Sequence, residues 1–380
     1  MSENVHDAPA SIWFAGVDAV RGDSAVAAAL SAGNSFAPDY VVGVGKAATS
    51  MCAGAYRHLG AGPTGLAITA TGYAGDELAG LPDIDVIESS HPIPDDRSID
   101  AGRRLRDCVS AMDRESRLLL LVSGGASALV ELPEDGTTLK KLRELNERWI
   151  SSGLSIDAIN AQRRKLSQIK GGRLLQRFRG TSVLIYAISD VEGDDIAVIG
   201  SGIGDPALAR CANEVKIVAS NRHARQAAAT YAAENGYVVR LNEESLYGDV
   251  TEIAGRLVDT LTSGAPGVYI WGGEPVVTLP ERPGKGGRNQ FLALLIASKI
   301  VGRDIRLIAA GTDGLDGASS VAGAVVHGKT VDDDFAVKDS LLRADSGTWL
   351  DERGATFVSG ATGTNVMDLV VAIVGNGGRA

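Results

Sequence analysis

The stretch RLLLLVSGG, residues 117–125, decides how the first half of the chain is read. Its apolar run has no polar alternation, so a strand made from it must be covered on both faces, and it stops at a Ser-Gly-Gly turn. The segment TSVLIYAISD (181–190) has the same form, and YVVGVG (40–45), GLAITA (65–70) and DIDVIESS (83–90) read as further strands. Segments with helical spacing separate them: residues 46–59, and a long region over 137–177 with the basic run NAQRRKLSQIKGGR. Residues 11–30 also carry apolar positions at helical spacing. Strands alternating with helices predict an α/β protein whose sheets are mostly parallel and covered on both sides.

The pattern restarts after GDPALARCAN (204–213), and EVKIVAS (214–220) reads as the first strand of a new set that continues through GVYIWGGE, IRLIAAGTDG, AGAVV and LVVAIVG. A boundary near residue 213 divides the chain into domains at 1–212 and 213–380. Parallel sheets place functional loops at the carboxyl ends of their strands. Those loops here fall at 43–46, 89–95, 123–127, 189–195, 272–274 and 311–316, and they pair glycine with Ser, Thr, Asp, Glu or Lys.

The totals exclude several classes. A formal net charge of −10, from 37 Lys and Arg against 47 Asp and Glu, with no basic stripe, argues against a nucleic-acid or membrane surface. Cys52, Cys108 and Cys211 are odd in number and lack C-x-x-C spacing, so reduced thiols in the cytoplasm are expected rather than a disulfide framework or a zinc site. The N-terminus lacks signal-peptide character, and no apolar run reaches the ~18 residues of a membrane span.

Several motifs carry chemistry. GVGKAA (43–48) matches the G-x-G-x-x-A dinucleotide pattern, but the following strand ends in Ala70 and Thr71, where a ribose-binding acid is needed. The nicotinamide reading therefore loses, and Lys46 at a helix start, beside free backbone N–H groups, is read as a partner for an anionic group, in competition with a solvated first-turn lysine. GAVVHGKT (323–330) satisfies the P-loop pattern formally, yet its apolar residues read as the strand itself, so it is set aside. In VSGGASALVELP (122–133) the small residues Ser123, Gly124, Gly125 and Ser127 suit a phosphate or substrate cradle, and G-x-S-x-G is absent. His91 in SSHPIPDD is read as structural. Asp190 in SDVEGDD and Asp313 in GTDGLDG end strands with the hard oxygens that suit Mg²⁺; helix capping is the competing role. Glu274, then GKGGRNQ (284–290) with Gly286, Gly287, Arg288 and Asn289, bring a planar guanidinium to a helix start, as an anion site requires.

Taken in order, GVGKAA, SHPIPD, VSGGASAL, the IN..RR.LS.IKGGRL pattern, SDV.GDD, SNR, GGE..VTL, GKGGRNQ, AAGTDGLDG and TGTNV.DL closely resemble the type 2 glycerate kinase family, whose C-terminal half is called the MOFRL domain. The resemblance covers about residues 40–372, with departures at Ala361, at Lys165 and in the short 201–212 segment. It implies a Rossmann-like three-layer α/β/α N-terminal domain, a smaller α/β C-terminal domain and an active site in the cleft between them. It implies ATP-dependent phosphorylation of D-glycerate at the 2-hydroxyl with Mg²⁺, and it puts the family's active-site lysine and arginine on Lys46 and Arg288. Asp190 is the candidate third catalytic group, and Asp190 or Asp313 the metal ligand. A homodimer is compatible with this reading. An NAD(P)H-dependent hydroxypyruvate reductase, a name some members carry, a kinase for a related small sugar acid, and a non-catalytic ligand sensor are the alternatives.

Overall fold

Arg21–Ser220 together with Gly363–Asn365 form one compact unit, and Met1–Val20, Asn221–Thr362 and Val366–Ala380 form a second. The computed structural model describes residues 8–33, 36–81, 83–152, 156–332 and 334–378. The chain starts with α1 (Ala8–Asp18), which belongs to the second unit, and then α2 (Gly22–Ala32), which belongs to the first. The single helical stretch expected over 11–30 is therefore two helices, with a non-helical break at residues 19–21.

The first unit continues with β1 (Tyr40–Val44), α3 (Ala48–Leu59), β2 (Thr64–Ala70), β3 (Ile84–Ser89), α4 (Asp96–Ala111), β4 (Arg117–Val122), α5 (Ala126–Leu129), α6 (Leu139–Ser151), α7 (Ile156–Lys165), α8 (Arg173–Gln176), β5 (Ser182–Ile188) and β6 (Ala212–Ala219). All pairings in its sheet are parallel, in the order β3-β2-β1-β4-β5-β6. This is the doubly wound order in which the sheet's direction of growth reverses between β1 and β4, and a crevice opens at the carboxyl ends of those two strands. Leu118, Leu120 and Val122 of β4 and Val183, Ile185 and Ala187 of β5 lie on one face, buried against Leu105, Val109, Leu174, Phe178 and Ile199. Leu119 and Leu121, on the opposite face, are also 0% exposed. That two-sided burial is what the unbroken apolar run required, and each such leucine contributes about 1.5–3 kcal/mol.

β6 contains all but the last residue of EVKIVAS, the segment read as opening the second domain. It pairs in parallel with β5 and is the edge strand of the first sheet. The division therefore falls at residue 220 rather than 212. The half-exposed burial of β6 explains why its sequence resembled the start of a new sheet more than the edge of the old one.

The second unit holds α9 (Asn221–Glu234), β7 (Val239–Glu244), β8 (Gly248–Asp249), α10 (Val250–Ser263), β9 (Gly267–Gly273), β10 (Pro275–Val276), α11 (Arg288–Lys299), β11 (Ile305–Gly311), β12 (Gly323–His327), α12 (Asp334–Leu342), α13 (Ser346–Asp351), β13 (Thr356–Phe357) and β14 (Asp368–Val374). Its main sheet has the order β13-β12-β11-β14-β9-β7, and β8 and β10 form a small ribbon. Here the expectation of mostly parallel sheets fails: β7 and β9 are parallel, but β9, β14, β11, β12 and β13 are joined antiparallel. The segment from β11 to β12, residues 312–322, contains no helix, and a parallel pair needs a longer, usually helical, crossover. α1 covers one face of this sheet, with Ile12, Trp13 and Val17 buried among Ala228, Ile308, Val371 and Ile373.

Candidate active site

In the first unit the register aligns the strand ends. Val44 of β1 pairs with Val122 of β4, and Val122 with Ala187 of β5, so the loops that follow these strands emerge on one edge. The loop after β1 is clasped to the loop after β4. Ser123 N–H donates to Val44 O at 3.0 Å, Lys46 N–H to Gly124 O at 2.9 Å, and Ala47 N–H to Ser123 Oγ at 3.0 Å. Gly45 N–H donates to Ile68 O at 3.0 Å. The backbone N–H groups expected to be free around Lys46 are thus engaged by the chain itself. Gly45 makes the clasp possible: its φ is +131°, and a Cβ there would sit 2.1 Å from Ser123 Oγ.

With those amides engaged, side chains are what this edge offers to another molecule. A Cβ on Gly125 would lie 3.1 Å from Lys46 Cγ and 3.1 Å from His91 Cδ2, so the bare Gly125 lets Lys46 and His91 share one wall. A Cβ on Gly124 would lie 2.1 Å from Asp190 Oδ2 and 2.6 Å from Asn365 Nδ2. Asn365 Nδ2 itself lies 3.4 Å from Asp190 Oδ2 as donor. Ser127 Oγ is 2.7 Å from Ser201 Oγ. Lys46, Ser123, Gly124, Gly125, Ser127 and Asp190, each singled out from sequence, therefore form one constellation. His91 and Asn365 join it. His91 was assigned a structural role, and its proline-fixed loop was the available clue. Asn365 lies far along the chain in TGTN and carried no chemical signal of its own.

In the second unit Arg288 is the first residue of α11. Its Nε and Nη2 donate to Asp368 Oδ2 and Oδ1 at 2.5 and 3.0 Å, and its Nη1 lies 2.7 Å from Glu274 Oε1. Burial opposes the guanidinium's charge, but the Asp368 carboxylate, with Glu274 behind it, more than offsets this and raises its pKa above the ordinary value. The two carboxylates differ in setting: Asp368's side chain is 0% exposed and Glu274's is 45%.

The helix start that was expected to hold an external anion holds Asp316. Asn289 N–H and Gln290 N–H donate to its Oδ1 and Oδ2 at 2.9 and 2.8 Å, and Asn289 Nδ2 adds a 3.2 Å bond. A carboxylate here meets both the orphan amides and the positive end of the helix. A Cβ on Gly287 would fall 2.3 Å from the Asp316 carboxyl, and one on Gly286 2.7 Å from Ser346 Oγ, so these glycines serve close packing inside the unit. Glycine, capping acid and helix thus satisfy each other: Asp316, which the sequence did not single out, caps the preceding α11, whereas the capping weighed against metal binding for this loop was Asp313's, at the next helix. Asp313 itself is buried and accepts from Leu315 N–H at 3.1 Å. A Cβ on Gly311 would lie 3.3 Å from Asp313 Oδ1 and 3.5 Å from Asp368 Oδ1.

For a divalent cation, no group of three or more His, Cys, Asp or Glu side chains is set to hold one among the described residues. Mg²⁺ in phosphoryl-transfer sites is commonly held by one or two carboxylates plus substrate phosphates, so a lone acid can serve. The half-buried Asp190, at the strand edge, fits that description better than the buried Asp313. The thiols of Cys52, Cys108 and Cys211 are free, and burial pushes Cys52 up to about 12, so it is not a nucleophile. No described helix is long and apolar enough to cross a membrane.

Residues 9–233 match the family model described as a domain of unknown function (DUF4147), and residues 267–368 match the MOFRL family. The chain belongs to the DUF4147 family and carries a MOFRL region. The DUF4147 match ends inside α9, close to the boundary between the two units. Among relatives, the protein named D-glycerate 2-kinase from Thermotoga maritima is 32% identical, covering 88% of this chain and 90% of its own length. The protein named glycerate 2-kinase from Pyrococcus horikoshii is 31% identical over 88% of this chain and 87% of its own. A relative from Agrobacterium vitis, 31% identical over 88% of this chain and 99% of its own, bears the provisional name hydroxypyruvate reductase. The crystal structure of glycerate kinase from Thermotoga maritima matches with a TM-score of 0.87 at 30% identity, covering 98% of this chain and all of that one.

Proposed function

We infer that this protein transfers the γ-phosphoryl group of ATP to the 2-hydroxyl of D-glycerate, releasing 2-phosphoglycerate and ADP. DUF4147 and MOFRL relatives named for this activity support the reading, since they match nearly the whole chain. The observation that favours it over hydride transfer is the clasp between the loops after β1 and β4. In a dinucleotide-binding sheet the pyrophosphate lies over the first of these loops, on its amides. Here the amides of Gly45, Lys46 and Ala47 are bonded within the chain, which leaves the half-buried Lys46 side chain, beside Gly125, as the group for an anion.

Phosphoryl transfer asks the protein for alignment and charge neutralisation more than for covalent chemistry. We assign Lys46 to neutralising charge on the transferred group, with Ser123 and Gly124 holding its backbone in place and Gly125 leaving room for its side chain. Asp190, oriented by Asn365, either orients the acceptor hydroxyl or holds Mg²⁺. The cation, held there by Asp190, would supply charge neutralisation for the phosphates. Arg288 is assigned as the second catalytic cation: buried Asp368 anchors it, while exposed Glu274 is the partner that an anionic group can displace. Asn289 supports Arg288 by fixing the start of α11 on Asp316.

The test separates position and chemistry together. D-glycerate and Mg-ATP are incubated with the protein and the product is passed to enolase alone. Enolase consumes 2-phosphoglycerate directly, so a signal without added mutase is the expected result. A signal that requires the mutase would place the phosphate on the 3-hydroxyl. ATP-independent oxidation of a reduced nicotinamide by hydroxypyruvate would replace the reading with a reductase.

A further inference from the structure

Strands β4, β5 and β6 start level with one another: Arg117 pairs with Ser182, and Ser182 with Ala212. The segments that enter them are tied together just before that line. Thr181 N–H donates to Ser116 O at 2.9 Å, and Ala212 N–H to Thr181 O at 3.3 Å. Gly180 permits the approach, because a Cβ there would lie 2.2 Å from Ser116 O and 2.4 Å from Phe178 Cζ. Gly180 also lines a groove of about 710 Å³, open to solvent, into which the same segments bring four arginines. Arg114 comes from the connection between α4 and β4, Arg177 and Arg179 from that between α8 and β5, and Arg210 from the residues before β6. All four are exposed; Ser110 and the buried Phe178 contribute the rest of the wall between them.

The charge of this groove is out of keeping with its surroundings. The chain as a whole carries −10. Elsewhere in the first unit exposed arginines are paired with acids: Arg97 with Asp95, Arg103 with Asp100, Arg104 with Asp85 and Arg117 with Asp39. The groove has no Asp or Glu in its lining. Among the described residues, the side chains of Arg114, Arg179 and Arg210 make no hydrogen bond or ion pair, and Arg177 reaches only Gln168, at 3.4 and 3.5 Å. Guanidinium groups gathered in this way repel one another, a cost that a bound anion relieves. The groove is also remote from the constellation around Lys46. It lies at the amino ends of the strands, and the six residues of β4 put roughly 20 Å between it and the Ser123–Ser127 loop.

We propose that this groove binds a small molecule carrying two phosphate groups, at a site separate from the one formed by the loops after β1 and β4. Charge balance points to that class: four guanidinium groups face a ligand whose two phosphates carry about −3 to −4 at pH 7. The planar fork of arginine fits phosphate oxygens through paired hydrogen bonds. The volume lies within the ~300–1,000 Å³ of small-molecule sites. A nucleic acid is disfavoured because Phe178, at 2% exposure, offers no face for a base to stack on, and the arginines form one cluster rather than a track.

The wild-type protein is titrated calorimetrically with inorganic pyrophosphate and, separately, with inorganic phosphate, and amide hydrogen exchange is followed with and without pyrophosphate. Pyrophosphate is expected to bind at least about tenfold more tightly than phosphate, to weaken as salt is raised, and to slow exchange in the segments entering β4, β5 and β6. Arg179→Gln and Arg210→Gln should each weaken binding about tenfold, as loss of one charge-assisted contact does. Arg103→Gln removes the same charge from α4 outside the groove and should change the affinity less than about twofold. Arg179 and Arg210 are exposed and make no side-chain bond, so both variants should keep the wild-type thermal midpoint. Absence of pyrophosphate binding, wild-type affinity in both groove variants, or protection confined to the loops after β1 and β4 would each overturn the proposal. An equal loss in Arg103→Gln would overturn it too, by reducing the effect to general surface charge. Turnover with D-glycerate enters none of these readouts, so the site stands or falls independently of the kinase reading.

Discussion

Asp316 shows how far single residues could be read from sequence. In GTDGLDG the residue weighed between metal ligand and helix cap was Asp313, yet Asp316, which was not singled out, caps the preceding α11, whose two backbone amides and Asn side chain meet it at 2.8–3.2 Å. The pairing spans nearly thirty residues, and nothing in either segment alone announces it. Burial pushes the Asp316 carboxyl from its ordinary 3.8 up to about 6, outweighing the Asn289 and Gln290 amides that pull it down. A raised acid pKa means that the folded state holds the proton more tightly, so the stabilisation is complete below pH 3.8 and is lost as pH rises through about 6. Relative to Asp316→Asn, wild-type stability should therefore fall by roughly 3 kcal/mol between about pH 3.5 and pH 7. Denaturant melts of both proteins across that range measure it, and a pH-independent difference would show that the carboxyl titrates normally. Lys46 needs a different readout. Lys46→Met keeps the stem that packs near Gly125 and removes the charge, so kcat should drop by about 100- to 1,000-fold with the thermal midpoint nearly unchanged. A loss of stability instead would make Lys46 a packing residue.

Among elements, the strands of the first sheet were legible because double-sided burial forces unbroken apolar runs, as in β4 and β5. The antiparallel strands of the second unit were found as strands but not in direction, because direction depends on what connects them and the loops there are irregular. The clasp between the β1 and β4 loops was invisible for a related reason: its bonds run from backbone to backbone or to Ser123 Oγ, and small residues advertise flexibility equally well. Its strength can be tested through Gly45. A Cβ at this position faces Ser123 Oγ at 2.1 Å with φ at +131°, whereas Gly60, also at positive φ, has nothing within 4 Å. Gly60→Ala should cost about 1–3 kcal/mol from backbone strain and leave activity intact. Gly45→Ala should carry the same strain, open the clasp and displace Lys46, so turnover with D-glycerate should fall at least about tenfold further than stability accounts for. Equal activity in the two variants would mean that the clasp does not position Lys46.

At the scale of the whole molecule, the helical pattern over residues 11–30 announced buried faces without saying which sheet buries them. Amphipathic spacing specifies how wide an apolar stripe is, and any apolar face of matching shape can receive it. The structure divides the stretch at residue 20. α2 stays with the first unit, while Trp13 of α1 is 0% exposed in the second, donates its indole N–H to Ala310 O at 3.4 Å and meets Phe357 edge-on at 5.2 Å. α1 thus completes the core of the second unit, although the DUF4147 match starts within it, at residue 9. Trp13→Ala removes a large side chain from a closed core and should cost about 3–5 kcal/mol. Because that core is confined to one unit, the loss should be local. Amide hydrogen exchange should accelerate in β11 and β14, which lie beneath α1, while β1, β4 and β5 keep their protection. Equal acceleration in both sheets would mean that α1 supports the folding of the entire chain, and the division of the N-terminal stretch between two cores would then have no energetic content.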